Sequence, residues 1–171
     1  PVRNSAAISH TATSIAGSSA LHNTTDINAS IVSEDNKLGI AVFGQNTAKD
    51  AWDANGDGFT ELSAISGQTM GFRGYLKTGL YSKLTAEYHH LQEFRRGGDN
   101  LDLPPHEAMI AEQTDHGINT GGLKFDWFSK DQRHRLNAFA SLQHIERESY
   151  YGAGKDPDAY GKTTDLTWVG G

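Results

Sequence analysis

Between residues 83 and 128 the chain states one rule twice, on either side of a long polar stretch. Leu84, Ala86 and Tyr88 alternate with Lys83, Thr85 and Glu87; Leu123, Phe125 and Trp127 alternate with Gly122, Lys124 and Asp126. A period of two sends successive side chains to opposite faces, so each stretch predicts a strand with one apolar and one polar face. The Pro-containing link between them, residues 97–115, is long and charged. The links on the outer sides, 78–82 and 130–133, are short.

The same rule runs along the rest of the chain. Residues 2–13 predict a weak strand, and 14–23 a loop rich in Ser, Ala and Gly. In 25–33, Ile27, Ala29 and Ile31 share a face opposite Asn28 and Ser30. Residues 34–37 carry the Asp and Asn chemistry of a tight turn. Leu38, Ile40 and Val42 begin the next strand, over 38–45. A long loop over 46–65 leads to a strand over 66–77, where Met70, Phe72 and Leu76 oppose Thr69, Arg73 and Tyr75. In 135–145, Leu136, Ala138, Ala140 and Leu142 oppose Asn137, Ser141 and Gln143. A third long loop is expected over 148–163, and a final strand over 164–171.

Short turns therefore fall near residues 35, 80 and 131. Long loops fall between them, near 55, 105 and 155, and the loop near 18 keeps the same parity. The expected fold is all-β, an antiparallel up-and-down meander of about eight strands, with short turns at one end and long loops at the other. Bacterial outer-membrane barrels have that asymmetry, and Tyr81, Trp127 and Phe128 lie beside short turns, where an aromatic girdle sits. A soluble sandwich, its apolar faces packed on a second sheet, is the alternative.

Composition narrows the function. A net charge of -6 without a basic block argues against nucleic acid. The chain has no cysteine, so it has neither disulfides nor thiolate metal sites. No apolar run approaches the roughly 18 residues of a membrane helix, which excludes helical spans only. A membrane strand needs about 9–11 residues, half of them polar. Residues 1–5 do not read as a signal peptide, and the proline at position 1 suggests a processed chain or a fragment. There is no Gly-x-Ser-x-Gly elbow, no His-Glu-x-x-His and no phosphate loop at 117–122 or 152–156, so no enzymatic activity is expected.

The sharpest local motif spans 53–61. Asp53, Asn55 and Asp57 offer side-chain oxygens, Gly58 makes the sharp turn, Phe59 offers its backbone carbonyl and Glu61 a further carboxylate. Alternating oxygens around a glycine match the first half of a calcium loop. The bidentate Glu of an EF-hand is missing, since Ala64 stands there, and strands rather than helices flank the motif. The expectation is a structural calcium that stiffens the loop; the alternative is a polar turn capped by its own side chains. His89 and His90, adjacent on a strand, face opposite ways and do not form a metal pair. His106 lies in a long loop, and Arg95 and Arg96 at a strand end, where a plain turn is favoured over an anion contact.

Taken together, several stretches resemble the barrel of TonB-dependent outer-membrane receptors, especially of the Bacteroides group. They are residues 1–5, 53–59, 87–90 running into 93–98, 102–107, 110–113, 150–156 and 160–165. The likeness covers essentially the whole chain, though no single motif is specific. It implies that residues 1–171 are part of a barrel of about 22 strands, with the plug and the remaining strands outside them. It implies a location in the bacterial outer membrane, in contact with lipid and with the receptor's own plug. It further implies uptake of a small scarce nutrient, such as an iron chelate (siderophore) or cobalamin, energised by the TonB complex through an N-terminal segment. On this view Thr85, Glu87, Lys124, Asp126, Asn137 and Gln143 line the lumen. The competing expectations are a soluble, calcium-stabilised β-domain that binds a partner or glycan, and a complete small outer-membrane barrel.

Overall fold

A computed structural model describes residues 1–171 as one antiparallel sheet of eight strands in simple chain order. These are β1 (Ser5–Ser14), β2 (Leu21–Val32), β3 (Leu38–Lys49), β4 (Ala64–Gly79), β5 (Ser82–Gly98), β6 (Ile110–Phe128), β7 (Arg135–Ala153) and β8 (Tyr160–Gly170). A single 3-10 turn, Pro105–Glu107, is the only helical element. The meander read from the alternation is therefore present. The sheet is open, with β1 and β8 as its edges. No helix is long and apolar enough to cross a membrane, which says nothing about strands.

The strands run further into the polar segments than alternation of apolar residues suggests. The expected loops 46–65, 97–115 and 148–163 shrink to 50–63, 99–109 and 154–159. The reason is that ladder hydrogen bonds come from the backbone and do not require apolar side chains. Thus Tyr150 pairs with Gln113 and Tyr151 with Glu112, inside stretches of polar sequence. The segregation of loop lengths now rests on 50–63 and 99–109, because 154–159 is no longer than the turn 129–134.

Two of the three short turns use the same chemistry. In Ser33-Glu34-Asp35-Asn36-Lys37, the Ser33 hydroxyl donates to Asp35 Oδ1 (2.7 Å), which also accepts from the Lys37 N–H (3.1 Å). In Ser129-Lys130-Asp131-Gln132-Arg133, Ser129 donates to Asp131 Oδ1 (2.5 Å), which accepts from the Arg133 N–H (3.2 Å). Asn36 and Gln132 take the left-handed position at matching places, with φ of 53° and 57°. The Ser33 hydroxyl holds Asp35 well down, to about 2, with the Lys37 N–H as the next cause.

The ladder aligns most of the apolar residues on one face, while Phe43, Leu91, Ile118, Phe139 and Ile145 lie on the other. One row across the sheet reads Ala6, Ala29, Val42, Phe72, Tyr88, Gly121, Leu142 and Trp168. Another runs Leu38, Leu76, Leu84, Phe125 and Ala138. Nearer the long loops comes a mixed row, Ile8, Ile27, Gly44, Met70, His90, Asn119, His144 and Leu166, and two places further a polar one: His10, Thr25, Asn46, Gln68, Gln92, Gly117, Glu146 and Thr164. An apolar band thus crosses all eight strands near the short turns and ends at a polar collar. The opposite face carries Thr69, Arg73, Thr85, Glu87, Lys124 and Asp126, as expected from the alternation. Of the three aromatic residues expected in a girdle, only Trp127 lies on the apolar face. Phe128 is one residue further along the strand and so points the other way, beneath the Arg135 guanidinium at 5.2 Å. Tyr81 lines the same polar-face cleft as Lys83.

Almost nothing is covered. Eleven residues are buried, and the hydrophobic core consists of Ala108, Ala111 and Tyr150. The band itself is bare: Met70 is 52% exposed, Leu123 56% and Leu136 53%. A sheet stabilises itself by burying an apolar face against another layer, and here that layer is not supplied by residues 1–171.

Candidate functional site

The loop end of the sheet holds three structures built on one another. The first is the loop after β3. A bridge between Trp52 and Leu62 closes its neck. Inside, Asp53 Oδ1 accepts from the N–H groups of Asn55 (3.2 Å) and Gly56 (2.6 Å), and Oδ2 from Gly58 (2.8 Å). These donors hold its carboxyl below the ordinary range, Gly58 foremost. Gly56 and Gly58 sit at φ of 77° and 86°, where a side chain would be strained. Oxygens of Asp53, Asp57 and Glu61 gather within 4.8 Å of one another. Asn55 lies against them, its amide donating to Asp57 Oδ2 (3.1 Å) and its oxygen accepting from the Asp57 N–H (2.9 Å). Phe59 gives its N–H to Asp57 Oδ1 (2.9 Å), and Ala54 gives its N–H to Glu61 Oε2 (2.6 Å). Of the five residues expected as calcium ligands, Asp53, Asp57 and Glu61 converge; Asn55 meets them through its side-chain amide and Phe59 through its N–H, and the bonds present are those of the self-capped polar turn named as the alternative. An all-oxygen donor set of this kind suits a hard cation.

Thr60 ties this loop to β5. Its N–H donates to the Gly98 carbonyl (3.1 Å) and its hydroxyl accepts from the Gly98 N–H (2.9 Å). Gly98 has φ of 105°, and a Cβ there would lie 2.1 Å from the Ile110 carbonyl oxygen.

The second structure is the loop after β5, which folds over the apolar-side face above the polar collar. Arg96, 4% exposed, donates to the carbonyls of Gly97, Asp99 (3.2 Å) and Asn100 (3.4 Å). Its guanidinium is spent on turning the chain, in keeping with a strand end rather than an anion contact. Tyr150 packs edge-on to Tyr160 at 4.9 Å and donates its hydroxyl to the Asp156 carbonyl (2.9 Å). His106 bonds the Tyr160 hydroxyl at 2.7 Å. His89 and His90 part company as expected: His89 meets the Phe43 ring at 5.3 Å, and His90 bonds Asn119 at 2.9 Å on the other face.

The third is a cleft of about 350 Å³ on the polar face, lined by Glu93, Arg95, Glu112, His116, Arg147 and Tyr151 among others. Arg95 Nε donates to Glu93 (2.7 Å), and Arg147 donates to the Tyr151 hydroxyl (3.0 Å) while its buried Nε has no partner. Ser63, at the foot of the first loop, donates to Glu112 (2.5 Å). Glu112 and Tyr151 fall in segments expected as loops, and His116 and Arg147 just outside them, so the sequence does not single out this cluster.

No protein-family model matches the chain, and neither a curated protein nor a solved structure matches it.

Proposed function

We propose that residues 1–171 form an arc of an outer-membrane receptor barrel that takes up a small nutrient, of the TonB-dependent class suggested by the sequence resemblance. One observation carries this reading: an apolar band in register across eight strands, bare on its outer side and ended by a polar row. Lipid is the layer that such a band fits, because near the short turns the other face carries charged and hydroxylic residues such as Arg73, Thr85, Glu87, Lys124 and Asp126, suited to a watery lumen or a polar plug. The three structures at the loop end would then form part of the mouth that collects the ligand. The loop 53–61 would be stiffened there by calcium on Asp53, Asp57 and Glu61, with Asn55 and Phe59 completing the oxygen set. An extracellular site of this kind needs an affinity of only about 10⁻⁴–10⁻³ M.

Single cysteines along β4 in the native protein, probed in intact outer membranes, test the orientation. Positions 70, 72 and 76 should react with a lipid-soluble maleimide and resist a water-soluble one, and positions 69, 73 and 75 should do the reverse. Uniform reaction with the water-soluble reagent would sink the membrane reading and leave the soluble calcium-stabilised domain. Calcium is tested separately by terbium luminescence excited through Trp52, which borders the loop. Emission should rise on titration and be lost in Asp57→Asn.

A further inference from the structure

Charge is divided along the strands. With the row through Ile27, Met70 and Asn119 as the divide, the short-turn half holds nine basic and five acidic residues, and the long-loop half six basic and sixteen acidic. The basic excess gathers on the polar face. A cleft of about 530 Å³ there is lined by Lys77, Lys83, Lys124 and Arg135, with Asp126 as its one acid. Asp126 is 6% exposed and already engaged, accepting from Lys124 (3.0 Å) and from the Asn137 amide. Lys77 and Lys83 stand directly opposite each other on neighbouring strands. Like charges in that position destabilise a sheet. The contrast is close at hand, since four residues back on β4, Arg73 faces Glu87 and pairs with it at 3.5 Å. Lys77, Lys83 and Arg135 form no ion pair.

We infer that this cleft is a docking site for an extended acidic segment of polypeptide. The basic groups spread from β4 to β7, three strand spacings or about 14 Å, which matches four or five extended residues. Lysines are mobile point charges that suit a run of carboxylates, whereas a single phosphate calls for a rigid fork or a cradle of backbone N–H groups. The rim is partly apolar: Leu80, at the hairpin tip, is 95% exposed, and Tyr81 and Phe128 line the cleft. This face already accepts extended chain. Residues 1–4 cross it, with the Arg3 carbonyl accepting from the Ser30 hydroxyl (2.7 Å) and Asn4 Oδ1 from the Val32 N–H (2.6 Å). Pro1 and Val2 share a neighbouring cleft with Arg73, Lys77 and Lys83. The site lies on the face opposite the apolar band, so it stands whether lipid or a second sheet covers that band.

The test is fluorescence anisotropy of a labelled octapeptide of alternating Glu and Ser, titrated with the intact protein. Binding should weaken with salt and fall about tenfold or more in Lys77→Gln/Lys83→Gln, as loss of two charges requires. Lys77→Arg/Lys83→Arg should bind as the unchanged protein does, which separates lost charge from lost fold. Arg95→Gln/Arg147→Gln, at the other end of the same face, should leave binding within about twofold. Equal binding of a Gln-Ser peptide, or undiminished binding by the Gln double variant, would overturn the inference. So would binding of inorganic tripolyphosphate with none of the acidic peptide.

Discussion

The two ends of this sheet solve the same problem differently. At the loop end the chain covers itself. The segment 99–109 folds over the sheet, and Arg96, Ala108, Ala111 and Tyr150 are shielded by protein. At the short-turn end the chain leaves the apolar face open, and Phe72, Leu84, Leu123 and Leu136 stand exposed in ordered rows. The same backbone ladder runs through both. The difference lies in what stands next to the side chains: its own loops at one end, no part of this chain at the other. Stability at the loop end should therefore respond to lost packing, and at the band to a change of polarity.

The largest effect expected from that comparison is at Tyr150, the one large side chain fully enclosed by protein. Tyr150→Ala should cost about 3–5 kcal/mol, in the range of large aromatic truncations. Native-state hydrogen exchange should show the loss concentrated at 99–109 and 154–159. Next comes the band. With lipid as the proposed cover, Phe72→Arg should cost about 2–4 kcal/mol when the protein is unfolded by urea from lipid vesicles, as a charge near the bilayer midplane does. Ser141→Lys, on the polar face, should stay within about 0.5 kcal/mol. Equal costs at the two positions would break the distinction between the faces. Gly98→Ala is smaller, about 1–3 kcal/mol, because it forces a side chain into a left-handed backbone against the Ile110 carbonyl. It should release Thr60 and loosen the loop 50–63 as well, measurable as faster exchange of the Gly58 amide.

The smallest effect is a titration. Asp35 is held to about 2 in the fold, below the roughly 3.9 of an unfolded Asp. Its contribution is then complete above about pH 4 and fades as the pH falls through 2. The Lys37 amide resonance, which reports the bond to Asp35, should titrate near pH 2. A midpoint near 4 would mean that the Ser33 bond does not form in solution.

The strands of the band were legible because a bare face still demands one kind of residue, and the demand repeats every second position. Their full length was not. Around Tyr150 and Glu112 the two faces meet different neighbours, loop on one side and a charged cleft on the other, so alternation of apolar and polar residues disappears while pairing continues. The turns at 33–37 and 129–133 were visible as Asp-bearing links; their common bonding through Ser33 and Ser129 required the coordinates. The motif 53–61 was read from its alternating oxygens, and Asp53, Asp57 and Glu61 do converge. The cleft around Lys77 and Arg135 was hidden because its members are scattered over four strands, and only the register brings them together.

The strictly sequential order of the strands has a kinetic consequence. Each strand pairs only with its neighbours in the chain, so every hairpin closes over a short connection and the ladder itself needs no distant segment. Hairpins such as the one closed by residues 80–81 can form on the microsecond scale. The sheet can therefore grow one strand at a time from any of its turns. A further strand can add at β1 or β8 without disturbing those already paired.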